Sequence, residues 1–201
     1  MHKLKSENMK SDIIISGVGG QGILSIAATI GLAAVANNLY LKQAEVHGMS
    51  QRGGDVQSHL RLSDQPVASD LIPFGKADLI LSVEPMESLR YLPWLSKSGW
   101  LVTNSNPFVN IPDYPDINDI LEEIKKIRNN IIIDADSIAK DSGSSRSGNI
   151  VILGAASPFI DMSLKSLEDA IRKLFGRKGE EIVDANLKAF KAGLEFSKQI
   201  I

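Results

Sequence analysis

Two stretches of this chain combine residue types and spacings that can do chemistry. The first is Gly17-Val18-Gly19-Gly20-Gln21-Gly22, which fits G-x-G-x-x-G through Gly17, Gly19 and Gly22. Loops of this kind cradle phosphates: glycine permits a tight turn and close backbone approach, and the unpaired amides of the following helix attract anions. The second is the polar run from Gln43 to Val56, containing His47-Gly48-Met49-Ser50-Gln51-Arg52-Gly53-Gly54. Arg52 suits forked contact with a carboxylate or phosphate. Gly53 and Gly54 let a ligand or a partner backbone come close. His47 titrates near neutrality, and Ser50 and Gln51 both donate and accept hydrogen bonds.

Each stretch has a blander reading beside the functional one. The glycine loop serves a dinucleotide, with Glu45 near the end of the second strand accepting a ribose hydroxyl, or it only joins a strand tightly to a helix. The polar run binds a ligand at a strand end, or it is a hydrogen-bonded surface loop. Other chemistries are excluded more firmly. No Gly-Lys-Ser/Thr closes the glycine turn, so it is not a Walker loop. Ser50 does not sit in a G-x-S-x-G elbow. Gly53-Gly54-Asp55 lacks the closing glycine of a thiamine diphosphate signature, and no Asn-Asn follows at the required distance. The chain has no cysteine, which removes thiolate nucleophiles and cysteine-ligated iron–sulfur clusters. His2, His47 and His59 are too scattered to read as a metal set.

The elements that must position these residues alternate strand with helix. Asp12 to Ser16 is a short β-branched run, the mark of a buried parallel strand. Ile23 to Ala36 reads as a helix ending near Asn37-Asn38. Leu39–Val46, Asp55–Leu62, Ala77–Val83, Gly99–Thr103 and Asn130–Asp134 read as strands. Glu84-Pro85 opens a helix, because proline at a first-turn position gives up no hydrogen bond. Asp116–Arg128 carries apolar residues at helical spacing. Asn149–Ala156 is apolar throughout, so periodicity alone leaves strand and helix open. Helices over about Ser163–Phe175 and Glu180–Ile200 close the chain, and this helical C-terminal segment either caps the core or docks a partner. The expectation is an α/β, Rossmann-like fold: one domain over residues 1–201 with a mostly parallel sheet covered on both faces.

Length and charge agree with that expectation. A chain of 201 residues, 43% hydrophobic and 23% charged, suits one globular α/β unit. A net charge of −2, with the basic clusters interleaved with acids, gives no basic face for nucleic acid. No charge occurs from Ile13 to Ala36, but the glycine loop divides that run into a strand and a helix. The expected location is therefore the cytoplasm, with no membrane span.

Together the two motifs resemble a known family. SGVGGQGIL at Ser16 to Leu24, followed by EVHGMSQRGGDVQSHLR at Glu45 to Arg61, is similar to the gamma subunit, or gamma domain, of 2-oxoacid:ferredoxin oxidoreductases. The version from His47 to Gly54 is most similar to the beta subunit of the indolepyruvate branch. The likeness continues through ADLILSVEPMESLRYLPWL at Ala77 to Leu95 and GNIVILGAA at Gly148 to Ala156, and is weakest over Asn104–Pro115. It implies a chain that binds no cofactor alone. Thiamine diphosphate and iron–sulfur clusters would lie on a large alpha subunit, coenzyme A would be the co-substrate, and ferredoxin would be reached through the complex. The assembly would be a hetero-oligomer, with a homodimer as the isolated form. The reaction implied is oxidative decarboxylation of an aryl pyruvate to an aryl-acetyl-CoA, in which this chain would be inactive alone. Gly17, Gly19, Gly20, Gln21, Gly22, His47, Ser50, Gln51, Arg52, Gly53 and Gly54 would then face coenzyme A, the substrate or the partner. The competing expectations are a gamma subunit for pyruvate or 2-oxoglutarate, and a free-standing NAD- or FAD-binding oxidoreductase. The resemblance also implies that Asn149–Ala156 is helical.

Overall fold

The structure is a computed structural model, and it describes residues 9–47 and 53–201. Six strands form one sheet in the order β2-β3-β1-β4-β5-β6. They are β1 (Lys10–Val18), β2 (Tyr40–His47), β3 (Asp55–Ser63), β4 (Ala77–Ser82), β5 (Leu95–Asn104) and β6 (Asn130–Ile133). The helices are α1 (Ile23–Ala36), α2 (Pro85–Arg90), α3 (Ile117–Lys125), α4 (Ala135–Asp141), α5 (Gly148–Ala156), α6 (Leu164–Phe175) and α7 (Glu180–Lys198).

Five strands point the same way. β1, β4, β5 and β6 pair in parallel, whereas β3 runs against both of its neighbours, β1 and β2. The central strands are apolar on both faces because both faces are covered. Alternate side chains enter separate cores. Ile13, Ile15, Leu79, Leu81 and Val102 pack with α1 and α4 to α7, while Ile14, Ile80 and Leu101 pack with Tyr91, Ile120 and Ile124 of the α2–α3 side. The connection from β1 crosses one face and the connections from β4 cross the other. The sheet therefore changes direction of winding between β1 and β4, where open α/β folds leave a crevice at the strand ends.

α5 has no polar face because it has no wet face: Ile150 to Ala156 are all buried. It lies between the sheet and α7 and crosses α7 at glycine. A Cβ on Gly154 would stand 2.0 Å from the Phe190 carbonyl oxygen, and one on Gly193 would stand 2.0 Å from that of Val151. The C-terminal helices thus cap the core, burying Val183, Leu187, Phe190 and Leu194.

Three features go beyond the sequence reading. The second strand does not lie beside the first: β3 separates them, and β2 is an edge strand. The 77–83 strand continues into a helix of one and a half turns only, Pro85–Arg90. The α4 helix, N-capped by the Asp134 carboxylate accepting from the Ser137 amide, was not foreseen. The uncharged run 13–36 divides into β1 and α1 as expected, and among the described residues no helix is long and apolar enough to cross a membrane.

Candidate functional site

The glycine loop follows β1 at the strand-end edge of the sheet. Its shape depends on Gln21, whose side-chain oxygen accepts from the Val18 amide at 2.7 Å and whose side-chain amide reaches the Val83 carbonyl at 3.4 Å. Gly17 is required by proximity, because a Cβ there would fall 2.3 Å from Val83 Cγ2. Gly22 is required by conformation: it begins α1 at φ 82°, in the left-handed region, with the Asn149 side-chain amide donating to its carbonyl at 3.0 Å. The Gly19 amide donates to the Gly54 carbonyl at 2.9 Å. The two sequence motifs therefore meet through a backbone hydrogen bond.

A strap, residues 104–115, runs across the same edge. Asn110 donates to the Gly53 carbonyl at 2.7 Å. Asn106 donates to Asp134 at 2.8 Å and to Asp136 at 3.0 Å. The far side of the strap is held by Glu84, which is fully buried. One of its carboxylate oxygens caps α2 by accepting from the Glu87 amide at 2.8 Å. The other accepts from the Phe108 amide at 3.3 Å and from the Tyr114 hydroxyl. Burial, reinforced by the Glu84 hydrogen bond, pushes the Tyr114 phenol above its usual range. Burial likewise raises Glu87, against the opposing hydrogen bond of Arg90.

Between the glycine loop, the strap and α5 lies a cavity of about 410 Å³. Gly20 and Gln21 form one wall, Asn104, Asn106 and Phe108 another, and Arg146, Gly148 and Asn149 the third. The N-terminal end of α5 opens here through Gly148 and Asn149, and α1 starts just after the Gly20–Gln21 wall; neither helix has a side-chain cap or an acidic residue in its first turn. Their unpaired amides favour anions. Arg146 makes no hydrogen bond or ion pair among the described residues, so its charge is available to a ligand. The one lining carboxylate, Asp136, is engaged by the Asn104 and Asn106 amides. The arrangement suits a ligand with an anionic part and an apolar part, the latter against Phe108.

The structure brings Gly17, Gly19, Gly20, Gln21 and Gly22 together with Gly53 and Gly54 through the Gly19–Gly54 hydrogen bond. His47 ends β2 on the same edge of the sheet. Ser50, Gln51 and Arg52, expected to face a ligand or partner, lie outside the described residues. The dinucleotide reading loses its acidic partner. Glu45 pairs with Ser58 of β3 and stands two strands from β1, about 10 Å across the sheet, where a ribose beside the glycine loop is out of reach. Sequence reasoning missed Glu84, Asn104, Asn106, Phe108, Arg146 and Asn149 as site residues. The only signal for Glu84 was its place beside Pro85 at a helix start, and nothing in sequence tied it to Tyr114. Among the described residues, no group of three or more His, Asp or Glu could hold a metal ion.

A mostly parallel sheet with an anion-suited crevice at its switch point defines an open α/β domain. The particular lineage follows from comparison. Residues 12–196 match the family model described as pyruvate ferredoxin/flavodoxin oxidoreductase, and the chain belongs to that family. It is 37% identical to the indolepyruvate oxidoreductase subunit IorB of Archaeoglobus fulgidus, over 92% of this chain and 94% of that one. It is 28% identical to the 2-oxoglutarate synthase subunit KorC of Methanocaldococcus jannaschii, over 96% of each chain. The gamma subunit of a keto/oxoacid ferredoxin oxidoreductase from Geobacter sulfurreducens superposes with a TM-score of 0.70 at 25% identity, covering 94% of this chain and 99% of that one. The 2-oxoglutarate:ferredoxin oxidoreductase of Magnetococcus marinus, solved with 2-oxoglutarate, coenzyme A and succinyl-CoA bound, shares the fold with a TM-score of 0.74 at 23% identity. That likeness covers 96% of this chain but 32% of the longer polypeptide, so the present chain spans about a third of it.

Proposed function

We propose that this chain is the small subunit of a cytoplasmic indolepyruvate:ferredoxin oxidoreductase, a single gamma-type domain that completes a partner's reaction chamber. The observation that carries the reading is the gradient of likeness: 37% identity to an indolepyruvate subunit against 28% to a 2-oxoglutarate subunit, each over nearly full length. Thiamine diphosphate and iron–sulfur clusters on the large partner supply decarboxylation and electron transfer to ferredoxin, with coenzyme A taking up the acyl group. This chain's residues bind and orient. The α1 and α5 N-termini with Arg146 receive phosphate oxygens, and Phe108 covers an apolar part of the ligand. Ser50, Gln51 and Arg52, with His47, face the partner's active site.

The assignment is tested by producing the chain with and without its large subunit under anaerobic conditions. Coenzyme A-dependent oxidation of indolepyruvate should need both chains. Oxidation of a ketoacid by this chain alone, or a tightly held redox group in it, overturns the proposal. Within the active complex, Arg52→Ala should raise the KM for coenzyme A or lower turnover while the subunit stays folded. Wild-type kinetics in that variant would remove Arg52 from the site.

A further inference from the structure

The buried carboxylate of Glu84 has no part in the ligand-binding scheme above, yet it ties the strap to the start of α2 beside the glycine loop's anchor at Val83. We infer that Glu84 is a positioning residue for the acyl acceptor, holding the strap so that the Phe108 wall of the cavity and the Gly53–Gly54 backbone stay in fixed relation. The inference rests on the function proposed above.

The hydrogen bonds make a closed circuit. Val83 accepts from Gln21 of the glycine loop, and the next residue, Glu84, accepts from Phe108 and Tyr114 of the strap. Two residues beyond Phe108, Asn110 donates to the Gly53 carbonyl at the base of the polar run. Gly54 then accepts from Gly19, returning to the glycine loop. A fully buried carboxylate persists only where donors satisfy it, and here three do. Two of the three belong to the strap, so much of its satisfaction depends on the strap being in place. Phe108 lines the cavity while its amide is held by Glu84. Releasing the carboxylate frees that wall and loosens Asn110, and through it Gly53, without touching a ligand directly.

Glu84→Gln keeps the shape but replaces one accepting oxygen with a donor, which opposes either the Glu87 amide or the strap. In the complete complex it should raise the KM for coenzyme A roughly tenfold, the loss expected for one charge-assisted hydrogen bond. The KM for the 2-oxoacid and the kcat at saturating coenzyme A should stay near wild type. Tyr114→Phe removes only the strap-side hydroxyl and should move the same constant in the same direction by less; it decides the matter if Glu84→Gln fails to fold. A second readout needs no activity: amide exchange in the subunit. The Gly19 amide should lose protection in both variants while the amides of β4 and β5 keep theirs. An unchanged coenzyme A KM with unchanged Gly19 protection overturns the inference. So does a uniform loss of stability and of both Michaelis constants. Should the wild-type complex lack coenzyme A-dependent activity, the functional reading fails by itself, and the exchange experiment still decides the role of Glu84.

Discussion

Glycine does two different things in this protein, and the crossing of α5 with α7 can be set against the strand-end rim to show them. At the crossing, Gly154 and Gly193 are needed because two helix backbones touch, and a single added carbon on either would lie 2.0 Å from a carbonyl oxygen. At the rim, Gly17 is needed because a side-chain methyl of Val83 lies close, whereas Gly20 and Gly22 hold positive φ. The crossing is dry and apolar, and its obstacle is backbone that cannot swing aside. The rim is polar, and its obstacles are side chains, Val83 beside Gly17 and Asn149 beside Gly22, together with the conformational preference of L-residues. An added carbon at the crossing must therefore move a helix backbone, whereas at the rim it meets side chains.

The largest effect should come from Gly154→Ala. Alanine favours a helix by about 1 kcal/mol over glycine, but the clash with Phe190 should reverse the sign. The net loss should reach about 3 kcal/mol or more, the upper end of overpacking costs. Urea unfolding checks it, and a wild-type midpoint would mean the helices do not meet at backbone distance.

Gly17→Ala should cost less, about 1–3 kcal/mol, since its obstacle is the Val83 side chain and not a helix backbone. Its effect on coenzyme A-dependent turnover should exceed its effect on unfolding, the reverse of the order at the crossing. Equal stability losses at Gly17 and Gly154 would erase the distinction.

The smallest effect should come from a position outside both regions. His59 is buried on β3, and its Nδ1 accepts from the Ile72 amide at 3.1 Å. Burial first and the neighbouring Arg61 charge second hold its pKa below the ordinary 6.5, with Asp70 opposing. The folded chain therefore favours neutral histidine, and the unfolded chain takes up the proton first as pH falls. The associated stability is complete above 6.5 and is lost as pH falls through the folded value. His59→Asn retains an acceptor for Ile72 and should flatten this part of the acid limb. Urea midpoints on either side of pH 6.5 would show it. An unchanged slope would mean that His59 titrates alike in both states.

The two regions also differ in how much of them was legible beforehand. β1, β4 and α1 could be read from β-branched runs, the glycine loop and Asn37-Asn38, because local sequence decides them. The sequence grouped the Gly17–Gly22 loop with Gly53-Gly54, and the Gly19–Gly54 hydrogen bond joins the two. α5 was ambiguous because burial on all sides removes periodicity, and only family likeness resolved it. The insertion of β3 between β1 and β2 was not legible, since strand pairing is set by contacts far apart in sequence. That omission is what made Glu45 look like a ribose ligand. Glu84 was hidden for a related reason: its partners Phe108 and Tyr114 lie in a loop with no pattern of its own. Asn149 and Arg146 join the cavity only once α5 has folded against α1.

The reversed strand has one more consequence. Because β3 runs back along β2, the connection carrying Ser50, Gln51 and Arg52 leaves and re-enters the sheet at a single edge, with His47 opposite Val56. Residues can be added to or removed from such a connection without shifting the register of any strand. Relatives acting on different oxoacids can thus diverge in this segment's length and chemistry while inheriting an unaltered scaffold.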